Sequence, residues 1–600
     1  MVTATKLSSE WIYKFYRELD KNGVENHALL IEQGGEFLFE EYASPYGADM
    51  PHTLFSVTKS IVATAVGFAL EEGLFILDSR ILPFFPEYKH CESDEWNNVS
   101  VRSLITMKSN KEFSFTQDMT GDYVEIFMKA PFRKKDRGFL YSNNDVHVVA
   151  SLIQRLTGMS LADYLMPRLF EPLGISKPQW ETDAKGECIG GTGAYLTARD
   201  LAKICRCYAD GGVYNGRQVI PEKWAREATK LQVPLSGRNN EDGYGYLFWT
   251  KDGTFSMNGM FGQLVTYFPQ YDAVIVSLNC IVNDTVHNSL VRDVLTKAFE
   301  GVSDSEWDGK LRSYLDGRGV KPVECKGMPE IPEGKTFYLT PVCDAVAKAA
   351  FPASLIPRSL TSSFATRPKE NLNRLSFEKT DDVLTVRWFE EDDEVVVRCG
   401  LDGKARTSEC SIKGYKYTVW AYAYCENGVL KAVVKPLNTL STQYLTFGFA
   451  ENEVKVNGII RTCPKASLSA AFRRFGIERR QPSCNLNIQK SAENSSLSGR
   501  RIFTEQIFGQ SRHKAEQILC GFASILTTSE RKYARENHGS NYSIHLSIKF
   551  ECTPSFTEFI SHNVNESSIV RNSGIFKGTM EKTVKALLMT LEKPMIFKSK

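Results

Sequence analysis

Hydrophobic and polar positions change period several times along the chain. Residues 28–32 and 36–42 are apolar-rich and flank Gly34-Gly35, a hairpin signal. From Ser56 to Leu74 the pattern turns helical, and Ile61, Val62, Ala63, Ala65, Val66, Phe68, Ala69 and Leu70 leave almost no polar face. A helix that is apolar all round is a buried one. Further helices are announced by their caps. Asn144 or Asp145 precedes a helical run to Gly158, and Pro221 suits a first turn. Ser160 with Asp163 and Thr197 with Asp200 resemble capping boxes with Asp in place of Glu. Strand patterns return at 244–250, 254–258, 262–268 and 273–279, and 287–299 reads as a closing amphipathic helix. Strands at both ends with helices between them predict an α+β domain on an antiparallel sheet, not alternating βαβ units.

Beyond this block the pattern changes character. Residues 301–335 hold Gly317-Arg318-Gly319, Pro329, Pro332 and Gly334 and read as a linker. Residues 383–459 alternate, as in Leu384-Thr385-Val386-Arg387-Trp388, and predict a separate β-rich domain, a small barrel or a sandwich. Residues 461–500 are rich in Ser, Asn and Arg with weak periodicity, the composition of a flexible link. The last hundred residues mix a helical pattern at 502–534 with a strand pattern at 542–550. The expected boundaries are a first domain at 1–310, a linker at 311–335, the β-rich domain at 336–460, a flexible linker at 461–500 and an unassigned mixed α/β region at 501–600.

Composition narrows this little. Six hundred residues exceed what one hydrophobic core holds, so several domains are expected. With 42% hydrophobic and 24% charged residues, the chain is of globular type and not collagen-like, coiled-coil or wholly disordered. The longest apolar run, residues 60–70, falls short of the roughly 20 residues that span a bilayer. Met1 to Lys6 lacks the apolar core of a signal peptide, which favours a cytoplasmic location. The 14 cysteines show no Cys-x-x-Cys spacing and read as reduced, mostly buried thiols. The nine histidines show no ligand spacing either, so neither a structural metal nor a cofactor is expected. The overall charge of +2 is uneven: residues 461–600 carry about +11 and residues 1–460 about −9. Because the basic residues are dispersed, a solvated surface is the simpler reading, with no nucleic-acid or membrane partner.

Three short segments carry chemistry. Ser56-Val57-Thr58-Lys59 opens the apolar helix, and a spacing of three puts hydroxyl and amine on one face, one turn apart. A serine hydroxyl needs a base within reach, and a buried lysine can serve if its surroundings disfavour the charged form. Ser-x-x-Lys alone is common, usually a capping serine and a solvated lysine; here the lysine falls within a helix that must be buried. Tyr141-Ser142-Asn143 lies in a loop before a helix, where a phenol can give or take a proton. Asn258-Gly259-Met260-Phe261-Gly262-Gln263 joins two strands, and its glycines permit close backbone approach. The N–H groups of Ser56 and Met260 are the candidate oxyanion donors, with Asn143, Asn258 and Gly259 as candidate substrate-binding positions.

In this order and spacing the three segments resemble the serine β-lactamase and penicillin-binding-protein superfamily, whose motifs are Ser-x-x-Lys, a Ser-Asp-Asn or Tyr-Ser-Asn element and Lys-Thr-Gly. The branch most similar is that of esterases, class C lactamases and 6-aminohexanoate-dimer hydrolases. Glu171-Pro172-Leu173-Gly174, Thr197-Ala198-Arg199-Asp200-Leu201-Ala202, Gly243-Tyr244-Gly245 and Gly259-Met260-Phe261-Gly262-Gln263 also look familial, and the likeness spans about residues 8–300. It implies a DD-peptidase/β-lactamase-like fold with Ser56 as nucleophile, Lys59 and Tyr141 as proton carriers, and a small-molecule ester or amide as substrate. Which of Lys59 and Tyr141 is the base stays open. One departure stands out: Met257-Asn258-Gly259 replaces Lys-Thr-Gly, so the cation that holds a substrate carboxylate is missing. Loss of such a charge-assisted contact costs about 1.5–3 kcal/mol, which makes β-lactams poor substrates. The alternative is a non-catalytic module of the same fold that recognises a peptide or cell-wall fragment. Oligomeric state is not legible.

Overall fold

The computed structural model describes residues 7–112, 122–134, 138–235, 241–281, 284–302, 304–339, 355, 372–390, 392–462 and 595–599. The chain divides into two units, one of residues 1–339, 352–478 and 597–600, the other of residues 340–351 and 479–596. Everything described below lies in the first, apart from Met595 and Ile596 at the start of the last strand. The patterns at 502–534 and 542–550 lie outside the described residues.

The first half is a sheet between two layers of helices, the α+β arrangement on an antiparallel sheet. Its strands are β1 (Glu25–Gln33), β2 (Glu36–Tyr42), β3 (Val233–Pro234), β4 (Gly243–Tyr244), β5 (Trp249–Lys251), β6 (Thr254–Gly259), β7 (Gln263–Phe268) and β8 (Ala273–Cys280), in the order β2-β1-β8-β7-β6-β5-β4-β3. Neighbouring strands are antiparallel, with Leu29 opposite Ser277 and Ile31 opposite Ile275. Alternate residues serve two cores. Leu29, Ile31 and Ile275 pack with Ile12, Phe15 and Leu19 of α1 (Ser9–Lys21), whereas Leu30, Val274 and Val276 face Ile61, Val62 and Val66 of α2 (Thr58–Glu71). All eight residues of β8 are buried. A strand covered on both faces reads as one apolar run rather than as alternation.

The helical layer over the second core holds α2, α3 (Asn143–Thr157) and α4 (Ala198–Ala209). The first twelve residues of α2 are all buried, in line with its all-round apolar pattern. It is preceded by a 3-10 turn, Phe55–Val57, so Ser56 sits just before the α-helix proper. Ser142, not Asn144 or Asp145, caps α3: its Oγ accepts the Asp145 N–H at 3.1 Å. The preceding serine wins because its extended backbone lets the hydroxyl reach the first turn. Thr197 and Asp200 form the reciprocal capping box, while Ser160 caps through Asp163 N–H alone at 3.1 Å.

The stretch beyond residue 300 departs from its linker reading. The run at 287–299 is α5 (Asp284–Asp293) followed by a 3-10 helix, Leu295–Phe299, and another helix, α6 (Ser305–Asp316), comes next. Asp304 caps α6 through Trp307 N–H at 2.9 Å. Trp307, Leu311 and Tyr314 recur at helical spacing, Leu311 is buried in the α1 core, and both aromatic rings meet Tyr13 of α1. Three apolar residues among many polar ones, with Gly309 and Gly317 close by, disguise this face.

The β-rich region is a ten-stranded sheet approaching a barrel. Its strands are β9 (Thr336–Leu339), β10 (Leu372–Lys379), β11 (Val383–Glu390), β12 (Asp393–Gly400), β13 (Arg406–Ile412), β14 (Tyr415–Glu426), β15 (Val429–Pro436), β16 (Ser441–Ala450), β17 (Glu453–Thr462) and β18 (Met595–Ser599), in the order β12-β11-β10-β9-β18-β17-β16-β15-β14-β13. Gly400 of β12 also bridges to Tyr422 of β14, which draws the two ends of the sheet together. Eight of the described cysteines are free thiols; Cys280 is disulfide-bonded, which departs from the expectation of reduced cysteines throughout. Two free thiols, Cys325 and Cys425 of β14, bring their Sγ atoms to 2.8 Å.

Candidate active site

Lys59 is 1% exposed in the first turn of α2, and a buried amine must find acceptors. Its Nζ donates to Ser56 Oγ at 2.9 Å, to Asn143 Oδ1 at 2.6 Å and to the Gly191 carbonyl at 2.6 Å. Helical spacing supplies the first contact, and the capped start of α3 supplies the second. The third comes from a loop that folds back onto the nucleophile turn: Ala194 O accepts Leu54 N–H at 3.1 Å, and Ala194 N–H donates to Thr58 Oγ1 at 3.2 Å. Gly191 must be glycine for this approach, because a Cβ would lie 2.8 Å from Asn143 Cβ and 3.0 Å from its carbonyl.

Tyr141 closes the cluster. Its hydroxyl interacts with Ser56, and its ring lies 4.8 Å from Lys59 Nζ. The ring stacks on Trp249 at 5.5 Å and meets Tyr244 edge-on at 6.2 Å. Burial pushes the phenol well above its ordinary range, only partly offset by the Ser56 contact. It therefore rests as a neutral phenol.

The end of β6 runs directly over the nucleophile turn. A Cβ at Gly259 would meet the Leu54 carbonyl at 2.3 Å, so only glycine lets the strand pass this close. Met260 follows at the start of the connection to β7. Thus Ser56, Lys59, Tyr141, Asn143, Gly259 and Met260 come from three separate stretches of chain to one place.

This geometry coincides with a family match: residues 14–283 match the β-lactamase family. The chain carries a domain of the serine β-lactamase and penicillin-binding-protein superfamily. The chain is 27% identical over 282 residues to the 6-aminohexanoate-dimer hydrolase of Paenarthrobacter ureafaciens, covering 42% of this chain and 72% of that one. It is 23% identical over 176 residues to penicillin-binding protein 4* of Bacillus subtilis, covering 25% of this chain and 37% of the relative. Among solved structures, the octameric penicillin-binding protein homologue from Pyrococcus abyssi aligns with 75% of this chain and 99% of its own, at 13% identity and a TM-score of 0.39.

Within this β-lactamase-type domain, the position where a Lys-Thr-Gly lysine would stand is Met257, fully buried in the core beside α2. Asn258 turns its amide to Glu241, donating to Oε1 at 3.4 Å, while Arg292 stands 3.6 Å from Glu241 Oε2. Burial, against the pull of Arg292, raises the Glu241 carboxyl to about 7. Gly191, Trp249 and Glu241 were not singled out from sequence; the Gly190-Gly191 pair was the available signal for the first.

Histidine and acidic side chains also converge where no spacing showed it. His147 Nε2 lies 3.5 Å from Asp183 Oδ2 and 4.0 Å from Glu187 Oε2. The group does not fit a metal. His147 Nδ1 accepts the Gly190 N–H at 3.3 Å, which leaves the ring proton on Nε2, between the carboxylates. A ligating histidine needs the opposite tautomer, its second nitrogen donating. The trio instead steadies the loop that carries Gly191. Among the described residues, no helix is long and apolar enough to cross a membrane.

Proposed function

We propose that this domain hydrolyses a small ester or amide through an acyl-enzyme on Ser56. The observation that carries the reading is the set of acceptors around Lys59. A neutral amine has two hydrogens, and Asn143 Oδ1 and the Gly191 carbonyl, both obligate acceptors, take them. The lone pair then faces Ser56, 2.9 Å away, able to receive its proton. After transfer, the ammonium donates to the same three oxygens. Lys59 is the base in this reading. Tyr141, a neutral phenol beside Lys59, donates to the leaving group. The N–H groups of Ser56 and Met260 receive the oxyanion. Water then attacks the acyl-enzyme and gives its proton to the Tyr141 phenolate, while Lys59 returns its proton to Ser56 Oγ, which restores all three groups.

The named activities of the relatives, a 6-aminohexanoate-dimer hydrolase among them, support an amide or ester substrate. The buried Met257 supports weak activity on β-lactams, whose carboxylate would find no lysine there. Two measurements test this. A fluorophosphonate probe is expected to label the protein and to leave Ser56→Ala unlabelled; undiminished labelling removes Ser56 from the mechanism. In steady-state assays, p-nitrophenyl esters are expected to turn over well and a chromogenic cephalosporin poorly; efficient cephalosporin turnover overturns the substrate assignment. An acyl-enzyme that forms and never hydrolyses would instead favour a binding module.

A further inference from the structure

The connection between β15 and β16, residues 437–440, belongs to the β-rich sheet yet is built into the wall of the candidate active site. Asn438 grips the approach to the nucleophile at two points. Its carbonyl accepts Thr53 N–H at 2.9 Å, and its Nδ2 donates to the Pro51 carbonyl at 3.0 Å. Its Oδ1 accepts Thr418 N–H at 2.7 Å, which anchors the same side chain to β14. Two residues on, Leu440 is 5% exposed and packs in one small cluster with Phe55, Phe261 and Cys280, with Met260 against it.

The two phenylalanines are the telling members. Phe55 has φ 47° and Phe261 φ 64°, the left-handed region that bulky side chains avoid. Phe55 immediately precedes Ser56, and Phe261 immediately follows Met260. Each strained residue is therefore one peptide from a proposed oxyanion N–H. Their rings meet edge-on at 5.3 Å, and Leu440 seals the contact. Such backbone persists only where packing over-determines it.

The geometry points to a positioning role for this turn: Asn438 and Leu440, from the β-rich sheet, hold Phe55 and Phe261 so that the Ser56 and Met260 N–H groups face one point. This rests on the serine-hydrolase reading and extends it. The β-rich sheet is part of the oxyanion site and not an appendage. Simple docking between the two sheets would need the contact area but not two left-handed aromatic residues at these positions. Remote misplacement of about 1 Å can cost around a hundredfold in rate.

The test uses the full-length protein with Leu440→Ala, Asn438→Ala, the volume-conserving Leu440→Met, and Val429→Ala, an exposed β15 residue, as control. The substrates are a p-nitrophenyl ester and its thionoester, with an arylboronic acid as the probe that places an oxygen in the oxyanion site. Leu440→Ala and Asn438→Ala are expected to lower kcat about 10- to 100-fold with KM little changed. Boronate affinity should fall in parallel, and the ester-to-thionoester rate ratio should shrink, since a loosened site discriminates less against sulfur. Leu440→Met should restore all three, and Val429→Ala should match the parent. If Leu440→Ala fails to fold, Asn438→Ala and the graded Leu440→Val carry the same comparison. Folded variants with unchanged kcat and ratio, or with a loss confined to KM, overturn the proposal. Ser56→Ala in the same assay separates the two levels. Hydrolysis surviving it overturns the underlying reading, whereas hydrolysis abolished there with Leu440→Ala unaffected overturns only the inference.

Discussion

At the residue scale, the site divides its proton work by environment. Lys59 sits among oxygens, and Tyr141 sits among rings: Trp249, Tyr244 and Phe139 crowd its face and edges. Burial opposes the phenolate, so the phenol keeps its proton through neutral pH and is suited to give it. That assignment has a kinetic signature. An amide leaves as an amine and needs a proton, whereas p-nitrophenolate leaves without one. Tyr141→Phe is expected to slow hydrolysis of an anilide or alkyl amide about 10²- to 10⁴-fold, with a much smaller effect on the matching p-nitrophenyl ester. Paired kcat/KM measurements decide it. Equal losses on both substrates would move Tyr141 into the acylation base role and Lys59 out of it.

At the element scale, local features were legible and long-range ones were not. The burial of α2 followed from an apolar face on every side, and the antiparallel sheet from strands at both ends of the domain. The cap of α3 is Ser142 and not the expected Asn144 or Asp145, since all three are cap-forming types and only backbone conformation chooses among them. The acceptor at Gly191 had no signature beyond the Gly190-Gly191 pair and the clamp at Asn438 had none, because they depend on contacts across 132 and more than 380 positions. A buried histidine pair was likewise hidden. His52 Nδ1 donates to Thr53 O at 3.0 Å, so its Nε2 accepts from His27 Nδ1 at 2.8 Å, and His27 Nε2 accepts from the Tyr46 hydroxyl at 3.0 Å. Both rings must stay neutral for this chain to hold. Burial, and for His52 the neighbouring His27, lowers both, His52 to about 3. The unfolded chain takes up protons near pH 6.5 while the native chain does not, so stability is full above that pH and declines as pH falls from about 6.5 toward 3. Urea midpoints are expected to drop between pH 7 and pH 5. His52→Gln should be less stable at pH 7 but show a shallower decline. An unchanged slope would place the acid sensitivity elsewhere.

At the scale of the whole molecule, the β-rich sheet was recognisable from alternation, but its attachment to the hydrolase domain was not. The contacts are dispersed: Lys435 pairs with Glu25, Lys416 N–H donates to Gln179 Oε1 at 2.6 Å, and Tyr415 reaches Thr182 at 3.1 Å. Only the Lys416 contact is exposed, the kind that contributes little individually; the Lys435 amine is buried against Glu25. The Cys325 and Cys425 thiols lie where the chain leaving α6 crosses β14, with Cys325 N–H also bonded to Leu401 O at 2.8 Å. Two sulfurs at 2.8 Å need little movement to bond. Diamide is expected to couple them, each thiol losing a hydrogen as the azo group is reduced to a hydrazine. Linked peptides carrying Cys325 and Cys425 should appear in the digest, and dithiothreitol should separate them. The new bond closes a span of 100 positions, for which chain entropy suggests up to about 4–5 kcal/mol of added stability. Tm should therefore rise on oxidation in the parent and stay put in Cys425→Ser. Hydrolysis of a p-nitrophenyl ester should be unchanged in both, because neither sulfur touches Ser56, Lys59 or the 437–440 turn. If both thiols remain open to alkylation after diamide, the crossing is looser than the sulfur contact implies, and the attachment of the two sheets rests on the buried Asn438 and Leu440 contacts instead.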